Sequence, residues 1–187
     1  MTDHAISRTR RNWLIAGCAL AAAAGGFALR RRGEKGAAIG KGVDALLALE
    51  LPDPDGSLQS MTQWRGKVLV VNFWATWCQP CREEIPALLR IAKKHAGKNI
   101  QIIGIAVDSA DKVKQFAEEF TIDYALLIGG LESIELSRQL GNRASALPFT
   151  AVLDHSGTLV RTHLGQISEQ DLESILAPLL APPSGKA

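Results

Sequence analysis

"WRGKVLVVNFWATWCQPCREEIPAL", residues 64–88, joins a strand-like segment to a helix-like one through two cysteines. Residues 67–75 are rich in β-branched and aromatic side chains, a pattern typical of a strand buried on both faces of a sheet. Cys78 and Cys81 follow at once. Residues 82–97 then carry apolar side chains at helical spacing and end at a glycine. The pattern predicts a buried strand that leads through the cysteine pair into a helix.

Strand-like and helix-like segments also alternate in the rest of the chain. Residues 46–61 suggest two short strands around an Asp-Pro-Asp-Gly turn. Towards the C-terminus, strands are predicted at residues 100–108, 124–129 and 148–165, the last with a hairpin turn at 155–157, and helices at 111–120, 132–141 and 168–180. This alternation predicts an α/β fold, with a mixed central β-sheet flanked by helices and an N-terminal β-hairpin extension.

The first 35 residues are typical of a targeting segment. An uncharged run of roughly 18 residues lies between two groups of basic residues, and its length is at the short end for a membrane-spanning helix. Three hypotheses compete: an uncleaved signal anchor, a twin-arginine signal at "TRRNWLI" (residues 9–15), and a lipoprotein signal ending at Cys18. The anchor is preferred because no clear small-x-small site is followed by a polar start. The apolar region before Cys18 is too short for a lipoprotein signal.

The remaining composition predicts one domain. Residues 36–45 are rich in glycine without a periodic pattern, so they are predicted to be a flexible tether between residues 1–35 and a domain at 46–181. Residues 182–187 are predicted to be a disordered tail. The net charge of +2 comes partly from basic residues near the N-terminus, which argues against a nucleic-acid-binding domain.

The cysteine pair permits three kinds of site. A zinc site needs about four ligands, and neither a second cysteine pair nor suitably spaced histidines exist. A structural disulfide over so short a loop would remove little entropy from the unfolded chain. At a helix N-terminus, however, Cys78 would be stabilised as a thiolate, and Pro80 is tolerated in the first turn. Cys81 is placed to attack a mixed disulfide on Cys78. A dithiol switch without metal or cofactor is therefore predicted.

With residues 64–88, and with "ALPFTAVLDHSG" at residues 146–157, the chain resembles the thioredoxin superfamily. More closely it resembles the membrane-anchored TlpA/ResA-like thiol–disulfide oxidoreductases of the bacterial cell envelope, over roughly residues 46–180. The resemblance implies a thioredoxin-like fold of the redoxin/TlpA type.

The resemblance also implies roles for individual residues. Cys78 would be the attacking cysteine and Cys81 the resolving one, with a redox-active disulfide between them. Trp77 would shield the pair. Pro148 would be the family's cis-proline, whose loop packs against the disulfide and binds extended substrate backbone. Leu147, which precedes it, would face the substrate.

Two polar residues are predicted to support this chemistry. Glu84 matches the family's glutamate after the second cysteine, and lies on the same helical face as Cys81. Its carboxylate would exchange protons with Cys81; the alternative is an ordinary solvated acid. Asn72 stands where thioredoxin has a buried aspartate. Since an amide takes up no proton, this supports Glu84 as the proton-handling group, the alternative being a polar residue hydrogen-bonded to backbone.

We expect a monomer. By resemblance, it would be anchored in the bacterial inner membrane, with its domain in the periplasm. It would reduce disulfide-bearing envelope proteins, for example in cytochrome c maturation or copper-site assembly, and a membrane electron donor would reduce it again. One alternative is a thiol peroxidase of the peroxiredoxin type, but Ala75 stands where that class has a threonine. Another is a Sco-like copper chaperone, for which His163 is available although the cysteine spacing differs.

Overall fold

The computed structural model describes residues 30, 33 and 36–181 of the 187-residue chain. Almost all of the predicted anchor and the whole predicted tail lie outside the described residues. The chain divides into two compact units, Met1–Ala38 and Ile39–Ala187, and the described residues of the first are helical. Within the described part, no helix combines the length and the apolar content needed to cross a membrane.

The second unit contains two sheets. Its strands are β1 (Glu50–Pro52), β2 (Leu58–Ser60), β3 (Val68–Trp74), β4 (Ile100–Ala106), β5 (Ala125–Ile128), β6 (Phe149–Leu153) and β7 (Leu159–Leu164). β1 and β2 form an antiparallel pair, and the others form a five-stranded sheet in the order β5-β4-β3-β6-β7. β3, β4 and β5 are parallel, whereas β6 and β7 run antiparallel to their neighbours. The predicted mixed sheet and N-terminal hairpin are confirmed.

Helices cover both faces of the larger sheet. They are α1 (residues 39–47, the part of a helical segment that lies in this unit), α2 (Gln79–Lys94), α3 (Ala110–Phe120), α4 (Glu132–Gln139) and α5 (Glu169–Leu180), and a 3₁₀ turn occupies Met61–Trp64. All seven residues of β3 are buried, and successive side chains point to opposite faces. Val68 and Val70 pack with α2, α3 and α5, whereas Leu69 and Val71 pack on the face covered by α1 and α4.

The predicted tether is wrong for residues 39–45, which are helical and belong to the packed unit. Val43 and Leu46, three residues apart, are buried in the core, and the helix continues to residue 47 instead of a strand beginning at 46. Gly42 packs so closely on α4 that a β-carbon there would lie 2.8 Å from the carbonyl carbon of Gln139. The low helix propensity of glycine concealed this element, because burial of its apolar side chains outweighs that propensity.

The strand directions bring several loops to one edge of the large sheet. The parallel strands β3, β4 and β5 all end there. β6 is antiparallel to β3 and pairs Phe149 with Phe73, so β6 begins at the same edge. The segments after β3 and β4 and before β6 are therefore neighbours, and they contain the predicted site.

Candidate active site

The two cysteines lie where β3 ends and α2 begins. After Trp74, a turn is closed by a hydrogen bond from Cys78 N–H to the Ala75 carbonyl at 3.2 Å. Cys78 is the N-cap residue of α2, and its carbonyl accepts a hydrogen bond from Arg82 N–H at 3.1 Å. A disulfide joins Cys78 and Cys81, with an Sγ–Sγ distance of 2.09 Å. The cysteine at the helix N-terminus therefore faces amide groups and a helix dipole that favour a thiolate.

The residues of this loop differ in their exposure to solvent. Cys78 is 6% exposed and Cys81 is fully buried, whereas Trp77 is 66% exposed. Pro80 lies in the first turn of α2, where the sequence predicted that a proline is tolerated, and it is exposed. A molecule approaching from solvent meets Trp77 and Cys78 before Cys81. The role of Trp77 in shielding the cysteine pair stays a prediction.

Pro148 lies at the same edge of the sheet. The Leu147–Pro148 peptide bond is cis, as the resemblance implies. Pro148 is buried immediately before β6, and Leu147 is half-buried beside it. The carbonyl of Pro148 accepts a hydrogen bond from Gly165 N–H, just beyond β7, at 2.8 Å. This bond ties the proline loop to the end of the neighbouring strand.

Glu84 is a buried carboxyl group rather than the solvated acid of the alternative hypothesis. Its residue exposure is 1%, and both of its oxygens accept hydrogen bonds. Asn72 Nδ2 donates to Oε1 at 2.7 Å, and Ile167 N–H donates to Oε2 at 2.9 Å. Burial raises the pKa of Glu84 to about 7, and the hydrogen bonds from Ile167 and Asn72 offset only part of that rise. A carboxyl group with this pKa can take up and release a proton near neutral pH.

Asn72 holds the carboxyl group from the central strand. Its side chain is buried, and its second N–H bond joins Nδ2 to Thr150 Oγ1 on β6 at 3.1 Å. The partners of Asn72 are thus side chains, not the backbone groups of the alternative hypothesis. Among the described residues, no hydrogen-bond partner exists for Asn72 Oδ1. The two residues that sequence reasoning predicted separately, Asn72 and Glu84, are in direct contact.

Two members of this hydrogen-bond group were missed. Thr150 faces Asn72 in the β3–β6 register, so a prediction of that register would have indicated it. Ile167 contributes only its backbone N–H, from the loop before α5. The side-chain pattern of a sequence does not predict which backbone N–H will donate to a distant carboxyl group. His163 is paired with Thr150 in the β6–β7 register, and its Nε2 lies 3.0 Å from the Gln166 carbonyl oxygen.

Comparison with known proteins places these features in a family. The family model described as Redoxin matches residues 40–177. The thioredoxin-like protein YneN of Bacillus subtilis is 30% identical over 125 residues, covering 65% of this chain and 70% of that protein. The thiol-disulfide oxidoreductase ResA of Geobacillus thermodenitrificans is 27% identical over 127 residues, covering 67% of this chain and 71% of that protein.

Solved structures agree with the sequence comparisons. A thiol:disulfide interchange protein of the thioredoxin family from Chlorobium tepidum TLS superposes with a TM-score of 0.65 at 30% identity, over 71% of this chain and 93% of that one. A thioredoxin-related protein from Neisseria meningitidis serogroup B gives a TM-score of 0.62 at 31% identity, over 70% of this chain and 98% of that one. The fold is therefore thioredoxin-like.

Proposed function

The chain belongs to the Redoxin family, and from that premise we propose that it reduces disulfides in proteins of the cell envelope through Cys78 and Cys81. It is a thiol–disulfide oxidoreductase, similar to the ResA and YneN proteins. The observation that carries the proposal is the Cys78–Cys81 disulfide at the N-terminus of α2, at the same sheet edge as the cis-Pro148 loop and on the helix that carries the buried Glu84.

Cys78 is the attacking residue in this proposal. Its thiolate displaces one sulfur of a substrate disulfide, which leaves as a thiolate and takes a proton from water, and a mixed disulfide remains on Cys78. Cys81 then loses its proton and attacks Cys78 Sγ, which releases the second substrate thiol and restores the Cys78–Cys81 disulfide. Two electrons pass from the protein to its substrate in each cycle. The greater exposure of Cys78 supports this order of attack.

Glu84 accepts the proton of Cys81 in the second step. The two residues are three positions apart on α2 and therefore share a helical face. A pKa of about 7 leaves Glu84 partly ionised at neutral pH, so it can act as a general base and later return the proton. Asn72 and Ile167 N–H hold the carboxyl group in place during this exchange.

The proposed location and partners are supported by the sequence of the N-terminal segment and by the resemblance to membrane-anchored relatives. Residues 1–35, with their apolar run between basic groups, anchor a monomeric protein in the bacterial inner membrane, and the domain faces the periplasm. There a membrane electron donor reduces the disulfide again, and apocytochromes or copper-site assembly proteins are the substrates. Replacing residues 1–35 by a cleavable periplasmic signal peptide is expected to move the protein from the membrane fraction to the soluble periplasmic fraction; an unchanged distribution would contradict the anchor.

The direction of electron flow is tested by the reduction potential of the cysteine pair in the full chain. The protein is equilibrated against defined ratios of reduced and oxidised glutathione, and the fluorescence of Trp74 and Trp77 reports its redox state. A potential near that of thioredoxin, about −270 mV, is expected of a reductase, whereas a value near −120 mV would identify a disulfide donor. The Cys78→Ser variant is the control and should show no transition. Peroxide consumption, measured alongside, tests the thiol peroxidase alternative.

A further inference from the structure

Thr76, in the turn between β3 and Cys78, is bound to a carboxylate from a different strand. Its hydroxyl donates to Asp108 Oδ2 at 2.5 Å, and its backbone hydrogen-bonds to the same carboxyl group. Asp108 lies two residues beyond β4. Val107 N–H donates a hydrogen bond to the Trp74 carbonyl at 2.8 Å, so the hydrogen bonding between β3 and β4 continues one residue beyond the end of β4. The turn before the cysteines is thus attached to the end of β4.

Asp108 is itself held firmly. Its side chain is only 5% exposed, its Oδ1 accepts a hydrogen bond from Ser109 N–H at 2.9 Å, and Lys112 Nζ lies 3.5 Å from Oδ1. Burial works to raise the pKa of Asp108, but the hydrogen bonds from Thr76 and Ser109 and the charge of Lys112 outweigh it, so the pKa is lowered. The Thr76 hydroxyl therefore donates to an ionised acceptor, and such hydrogen bonds are stronger than neutral ones.

We propose that Thr76 and Asp108 are positioning residues, which hold the turn at residues 75–77 so that Cys78 stays at the N-terminus of α2 in a reactive orientation. The inference rests on the proposed function. Trp77 is mostly exposed and has little packing of its own to fix the turn. The hydrogen bond from Cys78 N–H to the Ala75 carbonyl also restrains this turn. Misplacement of a reacting atom by about 1 Å is enough to slow a reaction greatly.

The Thr76→Val variant tests the proposal, since it removes the hydroxyl while keeping the size and the charges of the site. Cys78 is made the only thiol by replacing Cys18 and Cys81, because the chain has three cysteines. The alkylation rate of Cys78 by iodoacetamide is then measured from pH 5 to 10. In Thr76→Val, alkylation at pH 7 is expected to slow about threefold or more, with the midpoint of the pH profile raised by about half a unit.

Two further variants serve as controls for this measurement. Thr76→Ser keeps the hydroxyl and is expected to restore most of the wild-type rate and pH profile. Thr158→Val removes a comparable hydroxyl, which lies 2.9 Å from Ser156 Oγ in the turn between β6 and β7, at the other end of the sheet. That variant should leave the alkylation profile unchanged. An equal change in Thr158→Val would overturn the proposal, because the effect would then not be specific to this turn.

A double-mutant cycle tests whether Thr76 acts through Asp108. If the two residues act as one unit, Thr76→Val combined with Asp108→Ala is no slower than Asp108→Ala alone. The proposal is wrong if Thr76→Val has the wild-type profile, or if the two effects multiply. Should Asp108→Ala fail to fold, Thr76→Val and Thr76→Ser decide alone. Alkylation requires no substrate, so a wild-type chain that reduces no disulfide would refute the proposed function and leave this measurement valid.

Discussion

Glu84 brings a titrating group into the core at a cost in stability. In the unfolded chain its carboxyl group has a pKa of 4.5, whereas burial raises the folded value to about 7. Below pH 4.5 both states hold the proton. Between these two values the unfolded state loses the proton that the folded state keeps, so the free energy of unfolding falls as pH rises, and it levels off above pH 7. In the proposed mechanism, this cost maintains a proton acceptor that titrates near neutral pH on the helical face that carries Cys81.

Replacing Glu84 by Gln is expected to remove this pH dependence. From pH 5 to pH 8, the wild-type protein should lose roughly 2–3 kcal/mol more of its free energy of unfolding than Glu84→Gln does. Urea unfolding of the oxidised protein at both pH values measures the difference. Glu83→Gln changes the exposed neighbour on the same helix and should behave like the wild type. Parallel pH profiles for the wild type and Glu84→Gln would show that Glu84 titrates normally.

The unequal exposure of the two cysteines leads to a prediction about mixed disulfides. With Cys81→Ser, a mixed disulfide on Cys78 cannot be resolved and should accumulate when the reduced protein meets oxidised glutathione or a disulfide-bearing protein such as insulin. With Cys78→Ser, the remaining Cys81 is fully buried, so adduct formation should be slower by more than about tenfold. Cys18 is replaced by serine in both variants, so that mass spectrometry of the intact protein counts only the adducts on Cys78 or Cys81. Equal rates would refute the assignment of Cys78 as the attacking residue.

Among the helices, α1 is the one that was not predicted from the sequence. Alanine substitutions at two of its glycines test whether it packs on the domain as a helix. A β-carbon at Gly42 would lie 2.8 Å from the Gln139 backbone, so Gly42→Ala should destabilise the protein by about 1–3 kcal/mol. Gly40 is exposed, with no atom within 4 Å of the corresponding position. There Gly40→Ala should instead stabilise by up to about 1 kcal/mol, through helix propensity. Free energies of unfolding from urea titration would be equal for both variants if the segment were a flexible tether.

The β3–α2 unit was predictable because its signals are local. Strand composition, the cysteine spacing and the apolar spacing of α2 all lie within residues 64–88, and the resemblance added the cis state of Pro148. α1 was missed because its stability comes from distant contacts of Val43 and Leu46, which outweigh the glycines around them. Helices whose apolar positions are few and separated by glycine are visible only once the surface that covers them is known.

Across the whole molecule, the site was only partly predictable because it is assembled from four separate segments. Asn72 and Glu84 were indicated from sequence, but Thr150 depends on the β3–β6 register and Ile167 on the path of the backbone before α5. Asp108 reaches Thr76 only because β4 lies beside β3. Sequence reasoning therefore indicated the residues proposed to perform the chemistry, together with Asn72, whereas Thr150, Ile167 and Asp108 became visible only in the assembled sheet.

The position of each cysteine in the folded protein affects the reduction potential of the pair. The N-terminus of α2 stabilises a Cys78 thiolate, which favours the reduced state. Cys81 is fully buried, and burial disfavours a thiolate there, so Cys81 gains no such stabilisation in the reduced state. For a reductase, the disulfide nevertheless has to be more stable in the folded protein than in the unfolded chain.

Thermodynamic linkage converts this requirement into a difference in stability. If folding favours the disulfide, the disulfide favours folding to the same extent, so the oxidised protein should have the larger free energy of unfolding. A tenfold preference corresponds to about 1.4 kcal/mol, or about 30 mV in potential. Urea unfolding of the full chain with and without excess reductant, followed by tryptophan fluorescence, measures the difference. The Cys78→Ser variant, which forms no Cys78–Cys81 disulfide, should be insensitive to reductant. A reduced form more stable than the oxidised one would reverse the proposed direction, since strong disulfide donors are proteins whose reduced state is stabilised.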